Sequence, residues 1–347
     1  MTQGLNPNVD IGVMFAFRNP AAWRRPFPEV YADELRLVRH AEELGFDTIW
    51  LTEHHFADDG YSPSILPLAA AIAAVTERVR IGFNLLLLPL HNAIRVAEDI
   101  ATIDVLSGGR IDVGLGQGYA AHEFAGYGIS SSERRSRFVE GIEVLEGLWT
   151  QDTFTHSGRH YQLDGARLAP KPVQQPHPPL WIGATSEAGV QRAGRAGAHL
   201  LGLTSTRLQG AYEAALAEAG HDPAAAKVLQ LHWTHVADTT DDAWDQAAPH
   251  FHHLLEVYAR WANESGDADK GGPKTVVPPV SGLRHPDGPL MFRPAFGAPD
   301  QVADTLVGSM ARVRTTHLGL GVLPGMDPTR TRASLELFAS EVAPRLG

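Results

Sequence analysis

Cysteine is absent from the 347 residues. Without a thiol the chain has no disulfide, no thiolate metal centre, no iron–sulfur cluster and no cysteine nucleophile. Positive charge is also scarce: 29 Lys and Arg against 40 Asp and Glu give a formal charge of −11, which argues against a nucleic-acid surface built on clustered basic residues. No apolar run approaches the roughly 20 residues that span a bilayer. The opening "MTQGLNPNVD" has neither the basic start nor the apolar core of a signal peptide. No nucleic acid, no membrane and a cytoplasmic location are the resulting expectations. Two motifs are missing as well. There is no His-Glu-x-x-His, and Gly114, Gly116 and Gly118 of "GLGQG" lack the Gly-x-Gly-x-x-Gly spacing of a dinucleotide loop.

What is present alternates short apolar runs with helical periodicity. "DIGVMFAF" (10–17) reads as a first strand. Tyr31, Leu35, Val38, Ala41 and Leu44 recur at spacings of three and four, which predicts an amphipathic helix ending at Gly45. "DTIWL" (47–51) is the second strand, and Ser62-Pro63 is a good helix start. The unbroken apolar run "VRIGFNLLLL" (79–88) predicts a strand buried on both faces, as in parallel sheets, stopped by Pro89 and followed by a helix over 94–106. After "RIDVGLGQG" (110–118) the next helical pattern begins only near Ser132. A looser Pro-rich stretch (154–179) precedes strands at 180–184, 199–203, 228–236 and 317–323. About eight strand–helix units without a linker-like break predict one domain over 1–347. A doubly wound sheet also suits the alternation, but the count favours a (β/α)8 TIM barrel, an α/β fold, with a long insertion loop before the last strand. That loop, 263–296, is expected to be a mobile lid.

In a barrel, function collects where strands end. The second strand ends in Thr52, Glu53, His54 and His55; the third brings Asn84; the fourth Gly116, Gln117, Gly118 and Tyr119; the fifth Thr185 and Ser186. Neighbouring strand residues point to opposite faces, so His54 and His55 are poorly placed to share a metal. His252 and Glu256 are four apart on a probable helix, where with His250 and His253 an exposed polar face accounts for them; no metal site is expected. The glycines near 116 serve either tight strand packing or close approach of a flat ligand. Thr185 and Ser186 precede a helix, where free N–H groups would favour a phosphate, or where Ser186 would merely cap. His54 is either a structural histidine or an acid/base and hydrogen-bonding group, with Glu53 orienting it or facing solvent.

Together "AEELGFDTIWLTEHHF", "VRIGFNLLLLPLHNAIRVAEDIATIDVLSGGRIDVGLGQGY", the Ser/Thr turn after "PLWIGA" and "GAPDQVADTL…LELFASEVAPRL" resemble the bacterial luciferase-like family of flavin-dependent monooxygenases over nearly the whole chain. The resemblance implies a (β/α)8 barrel with a mobile loop and reduced FMN, supplied by a separate flavin reductase, reacting with O2. It implies that His54 is the catalytic histidine with His55 beside it. It places Asn84 and Leu85 where relatives often carry a non-prolyl cis peptide beneath the flavin, and Thr185 and Ser186 in the phosphate turn. Gly116, Gln117, Gly118 and Tyr119 would complete the flavin site. Bacterial luciferase has a reactive cysteine and then a phosphate-binding arginine where this chain has Gly116 and Gln117, and a glutamate where it has Thr185. Light emission is therefore not expected. The expected function is a two-component FMN monooxygenase acting on a small, largely apolar substrate such as an aldehyde or ketone. The rivals are a deazaflavin-dependent hydride-transfer oxidoreductase of the same fold and a non-catalytic flavin-binding protein. The resemblance also implies a homodimer, through the helices over 64–75 and 94–106.

Overall fold

The computed structural model describes residues 4–202, 205–264, 274–285, 290 and 292–346. In chain order the strands are β1 (Asp10–Phe15), β2 (Thr48–Leu51), β3 (Arg80–Phe83), β4 (Ile111–Leu115), β5 (Phe154–Ser157), β6 (Gln162–Ala166), β7 (Leu180–Gly183), β8 (His199–Leu201), β9 (Val228–Val236), β10 (Ala295–Gly297) and β11 (His317–Gly321). Eight of them, all but β5, β6 and β10, pair in parallel around a closed ring: β11-β1-β2-β3-β4-β7-β8-β9 and back to β11. The expected barrel is therefore correct. β10 adds to the outer end of β9, and β5 and β6 form a separate antiparallel hairpin inside the Pro-rich stretch.

The helices are α1 (Phe27–Leu44), α2 (Ile65–Val75), α3 (Ala93–Ser107), α4 (Ala121–Gly126), α5 (Arg134–Thr150), α6 (Glu187–Arg195), α7 (Thr206–Glu218), α8 (Thr240–Glu264), α9 (Pro299–Met310) and α10 (Pro328–Leu337). None of the described helices is long and apolar enough to cross a membrane. α1 ends as expected at Gly45, whose φ of 102° is one that side-chain-bearing residues rarely adopt.

The period of two along each strand sorts its side chains. Ile11, Val13 and Phe15 of β1, with Ile49, Leu51, Ile81, Phe83, Ile111, Val113 and Leu115, face outward and pack under the helices. Met14, Trp50, Trp181, Leu201, Leu229 and Trp233 fill the interior. Near the lower end Asp112 binds Arg80 and accepts a 3.1 Å hydrogen bond from Trp181 Nε1, while His317 Nε2 lies 2.8 Å from Asp10.

Local expectations failed in four places. α2 begins at Ile65 rather than at Pro63. β3 stops at Phe83, because the chain leaves the sheet at the cis peptide Asn84–Leu85; the apolar residues beyond it build the rim and a short turn at Leu88–Leu90. A one-and-a-half-turn helix, α4, stands where no helix was expected. His250 and His253 are not on an exposed face. His250 is buried, stacks 3.9 Å from Trp23 and lies 2.9 Å from the Pro324 carbonyl, and His253 lies 3.2 Å from Asp59. Of the expected lid, residues 265–273, 286–289 and 291 lie outside the described residues. In its described part Leu283 is buried in the interior cluster and Arg284 donates to Asp241 at 2.7 Å.

Candidate active site

β2 ends at Leu51, and the next four residues pass over the rim with Glu53, His54 and His55 all under 10% exposed. Because the strand has ended, the two histidines part company. His54 Nδ1 lies 2.9 Å from Glu123 Oε1 on α4, and the same oxygen accepts the His55 backbone N–H at 2.8 Å. His55 turns the other way, its Nε2 3.0 Å from Glu53 Oε1 and its Nδ1 3.1 Å from the Tyr127 hydroxyl. The two rings serve different carboxylates, Glu123 for His54 and Glu53 for His55.

Glu53 does neither of the things expected of it. It does not orient His54 and does not face solvent. Its Oε2 accepts the Leu87 N–H at 2.7 Å and its Oε1 meets both His55 and His91, the latter at 2.6 Å. Burial would raise its pKa, but the close approach of the His55 and His91 imidazoles outweighs that and holds it at about 2. The same partnership raises His91 above its ordinary value against the opposing effect of burial.

The acceptor role of Glu123 Oε1 fixes the state of His54. A carboxylate offers only acceptors, so with Glu123 Oε1 taking both the His55 N–H and the His54 ring nitrogen, His54 Nδ1 is the donor. In a neutral imidazole Nε2 is then the free base, and it has no hydrogen-bond partner among the described residues. Around the ring stand Trp261 at 4.4 Å, Tyr61 at 4.7 Å, Tyr258 at 5.8 Å and Tyr119 at 5.9 Å between centroids. Their hydroxyls form a chain, Thr52 Oγ1 to Tyr61 at 3.2 Å and Tyr61 to Tyr258 at 2.8 Å. Burial pushes the Tyr61, Tyr119 and Tyr258 phenols up, so they stay protonated. Arg18, bonded to Asp59 at 2.7 Å, backs Tyr61 at 4.5 Å from its centroid.

Asn84–Leu85 is cis, at the position where the resemblance put such a bond. Leu85 lies between two glycines: a Cβ on Gly183 would sit 2.3 Å from its Cδ1, and one on Gly116 2.8 Å from the same atom. Of the two uses open to the glycines, close packing accounts for Gly116. Gln117 and Gly118 are half-buried, and Tyr119 is 40% exposed. Thr185 and Ser186 are exposed on the turn just beyond Gly183, where the Ser186 hydroxyl caps α6 by accepting the Gly189 N–H at 3.3 Å. Glu187 follows in the first turn and is paired with Arg207. Farther along α6, Arg192 is pushed down by burial and then by the neighbouring charges of Arg135 and Arg195, so positive charge gathers on this flank.

The expected residues thus fall in one arc from His54 through Asn84, Leu85 and Gly116 to the turn at Thr185. Glu123, Tyr61, Tyr258 and Trp261 were not singled out from sequence. In sequence Glu123 lies between His122 and Phe124, and no motif marks it.

Residues 9–317 match the profile of the luciferase-like monooxygenase family. Protein y4vJ of Sinorhizobium fredii is 33% identical over 205 residues, 57% of this chain and 58% of that protein, so the chain aligns with little more than half of that relative's length. The oxygenase component of flavin-dependent trigonelline monooxygenase from Acinetobacter baylyi is 26% identical over 91% of this chain and 90% of that one. An F420-dependent glucose-6-phosphate dehydrogenase of Amycolatopsis mediterranei is 35% identical, over 48% of this chain and 51% of its own. Among solved structures, the oxygenating constituent of 3,6-diketocamphane monooxygenase from Pseudomonas putida, a type II Baeyer-Villiger enzyme in complex with FMN, superposes with a TM-score of 0.80 at 21% identity, covering 98% and 99% of the two chains. An F420-dependent secondary alcohol dehydrogenase superposes with a TM-score of 0.75 at 22% identity, over 98% and 99%. The family holds both FMN monooxygenases and F420-dependent oxidoreductases, and on the profile match over most of its length this chain belongs to the luciferase-like monooxygenase family.

Proposed function

We propose that the chain is the oxygenase of a two-component system, which takes reduced FMN from a separate flavin reductase and uses O2 to oxygenate a small, largely apolar organic substrate such as an aldehyde or ketone. The observation that carries this reading is the buried His54–Glu123 pair, which presents one imidazole of fixed tautomer to an aromatic enclosure. The residues suit a flavin. The cis Asn84–Leu85 segment, held between Gly116 and Gly183, would support the ring system. Gln117, Gly118 and Tyr119 would flank it, and the N–H groups at Thr185 and Ser186 would take the phosphate. Gln117 supplies no charge there, so Arg135 and Arg192 are the candidates to replace it.

Bound reduced flavin would supply the electrons that leave one atom of O2 in the product and the other in water. The chain's own part is protonic and steric. His54 Nε2 takes up or returns a proton while Glu123 holds Nδ1 in place. Tyr61, Tyr258 and Trp261 keep bulk water from the reacting centre, and with Phe292, 5.3 Å from Tyr258, they give an apolar wall that fits an uncharged substrate.

The trigonelline enzyme, aligned over 90% of its length, favours oxygenation, while the higher identity to the F420-dependent dehydrogenase, over half of it, supports hydride transfer from reduced deazaflavin as the second reading. Anaerobic titration with reduced FMN, followed by admission of O2 in a stopped-flow instrument, separates them. Saturable FMN binding and an oxygen-dependent flavin transient are expected. Binding of F420 alone, with no oxygen-dependent transient, would move the chain to the second reading. His54→Ala is expected to lower turnover roughly 10²–10⁴-fold with the fold intact. We also propose a homodimer through the outer faces of α2 and α3, where Val75, Val105 and Leu106 are exposed; light scattering on the purified chain would read it directly.

A further inference from the structure

Beside the His54–Glu123 pair, and outside the flavin assignment, three metal-ligating side chains converge. Glu53 Oε1, His55 Nε2 and His91 Nε2 all lie within 4.8 Å of one another. Two of the side chains are buried, and His91 is 24% exposed, so the group has a path to solvent.

Three features distinguish it from an ordinary shared hydrogen bond. His55 Nε2 is sealed from solvent and, although 3.0 Å from Glu53 Oε1, has no aligned hydrogen-bond partner. The in-plane axis on which an imidazole binds either a proton acceptor or a metal is therefore unaddressed by the carboxylate. The outer groups are already set, as metal ligands require. The Tyr127 hydroxyl holds His55 Nδ1 at 3.1 Å, and the Leu87 N–H holds Glu53 Oε2 at 2.7 Å, leaving Oε1 to point inward. Finally, two imidazoles and one carboxylate make a donor set of net charge −1, the composition that suits zinc-like divalent ions rather than calcium or magnesium.

We propose that Glu53, His55 and His91 form a binding site for a first-row divalent transition metal of the zinc class, with a fourth position open toward solvent on the His91 side. The sequence predicts no metal, because neighbouring strand residues diverge and there is neither a His-Glu-x-x-His nor a cysteine. The third ligand, His91, comes from the segment between β3 and α3.

The test is titration of untagged, chelator-treated protein with Co(II), followed by visible absorption and by calorimetry, then displacement with Zn(II). One Co(II) per chain with d–d bands, displaced by Zn(II), is expected. His91→Ala should weaken binding at least tenfold, and Tyr127→Phe roughly tenfold through the lost hold on His55. His252→Ala should leave binding unchanged. His91→Gln, which can still bond Glu53, guards against misfolding and should be as defective as His91→Ala, with an unchanged circular dichroism spectrum. Absence of saturable binding, or one-to-one binding that survives both His91 variants or is lost in His252→Ala, overturns the assignment.

Discussion

Glu123 stands 69 positions from His54, and no motif joins them. Its Oε1 takes two donors at once, which one oxygen does well only if the side chain is fixed, and it is fully buried. Orientation is therefore its main contribution, which makes it a positioning residue. Glu123→Gln, whose amide oxygen can accept the same two donors, is expected to keep turnover within about tenfold, whereas Glu123→Ala should lose roughly 10²–10³-fold. The pH profile of kcat tells orientation from structure: in the alanine variant it should shift as His54 loses its tautomer, and the glutamine variant should restore it. Wild-type turnover in Glu123→Ala would dispose of the role. His54 itself was legible, since a histidine at a strand end is a visible signal; Glu123 was not, because a lone acid in a six-residue helix carries no periodicity to mark what it faces.

At the scale of elements, β3 and β4 pair at Ile81–Ile111 and Gly82–Asp112, and the end of β3 presses on a glycine of β4. A Cβ at Gly114 would fall 1.7 Å from the Phe83 carbonyl oxygen, a backbone atom that no side-chain rotation can move. The approach lets Gly114 O accept from Leu86 N–H and Leu86 O accept from Gly116 N–H, both at 2.9 Å, which ties the departing segment after the cis peptide to the rim. Gly114→Ala should cost at least about 3 kcal/mol, seen as a lowered urea midpoint together with weaker flavin binding; an unchanged midpoint would show that the two strands can separate freely. Sequence conveyed the strands well where apolar residues run between turn signals, as in β2 and β9. It failed in the run from Leu85 to Leu88 because there only Leu86 pairs with a strand, bridging Leu115, while Leu87 and Leu88 are buried at the rim, and hydrophobicity alone does not tell the two apart. α4 escaped because one and a half turns are too short for a helical period to declare itself.

For the whole molecule, two half-buried histidines contribute to the response to acid. His199 is held down to about 4, by burial first and then by the charge of Lys227, and His232 likewise, by burial and then Arg312. Both are neutral when folded and protonated when unfolded between about 4 and 6.5. The contribution of each to stability is accordingly full above pH 6.5 and is lost as pH falls toward 4, by on the order of 3 kcal/mol at most. Glu34, held up at about 8 by burial, works in the opposite sense between pH 8 and 4.5, so a variant supplies the comparison: His199→Gln should lose less melting temperature than the wild type between pH 6.5 and 4.5. An equal loss in both would mean that the His199 ring reaches water.

A ring of strands is only as tight as its shortest member. Among the described residues β8 has three and meets β9 at Leu200–Val228 and Leu201–Leu229, as few pairs as β3 shares with β4, while β9 and β11 share five. One thin line of the cylinder therefore lies beside the turn that carries Thr185 and Ser186, since β7 and β8 are neighbours. Amide exchange with deuterium would start there, at Gly202 and Leu200, well before the staves around β1. Breathing along that line would widen the mouth beside Thr185 and Ser186 and leave the His54 wall still, so that on the proposed function a flavin could come and go without disturbing the His54 imidazole.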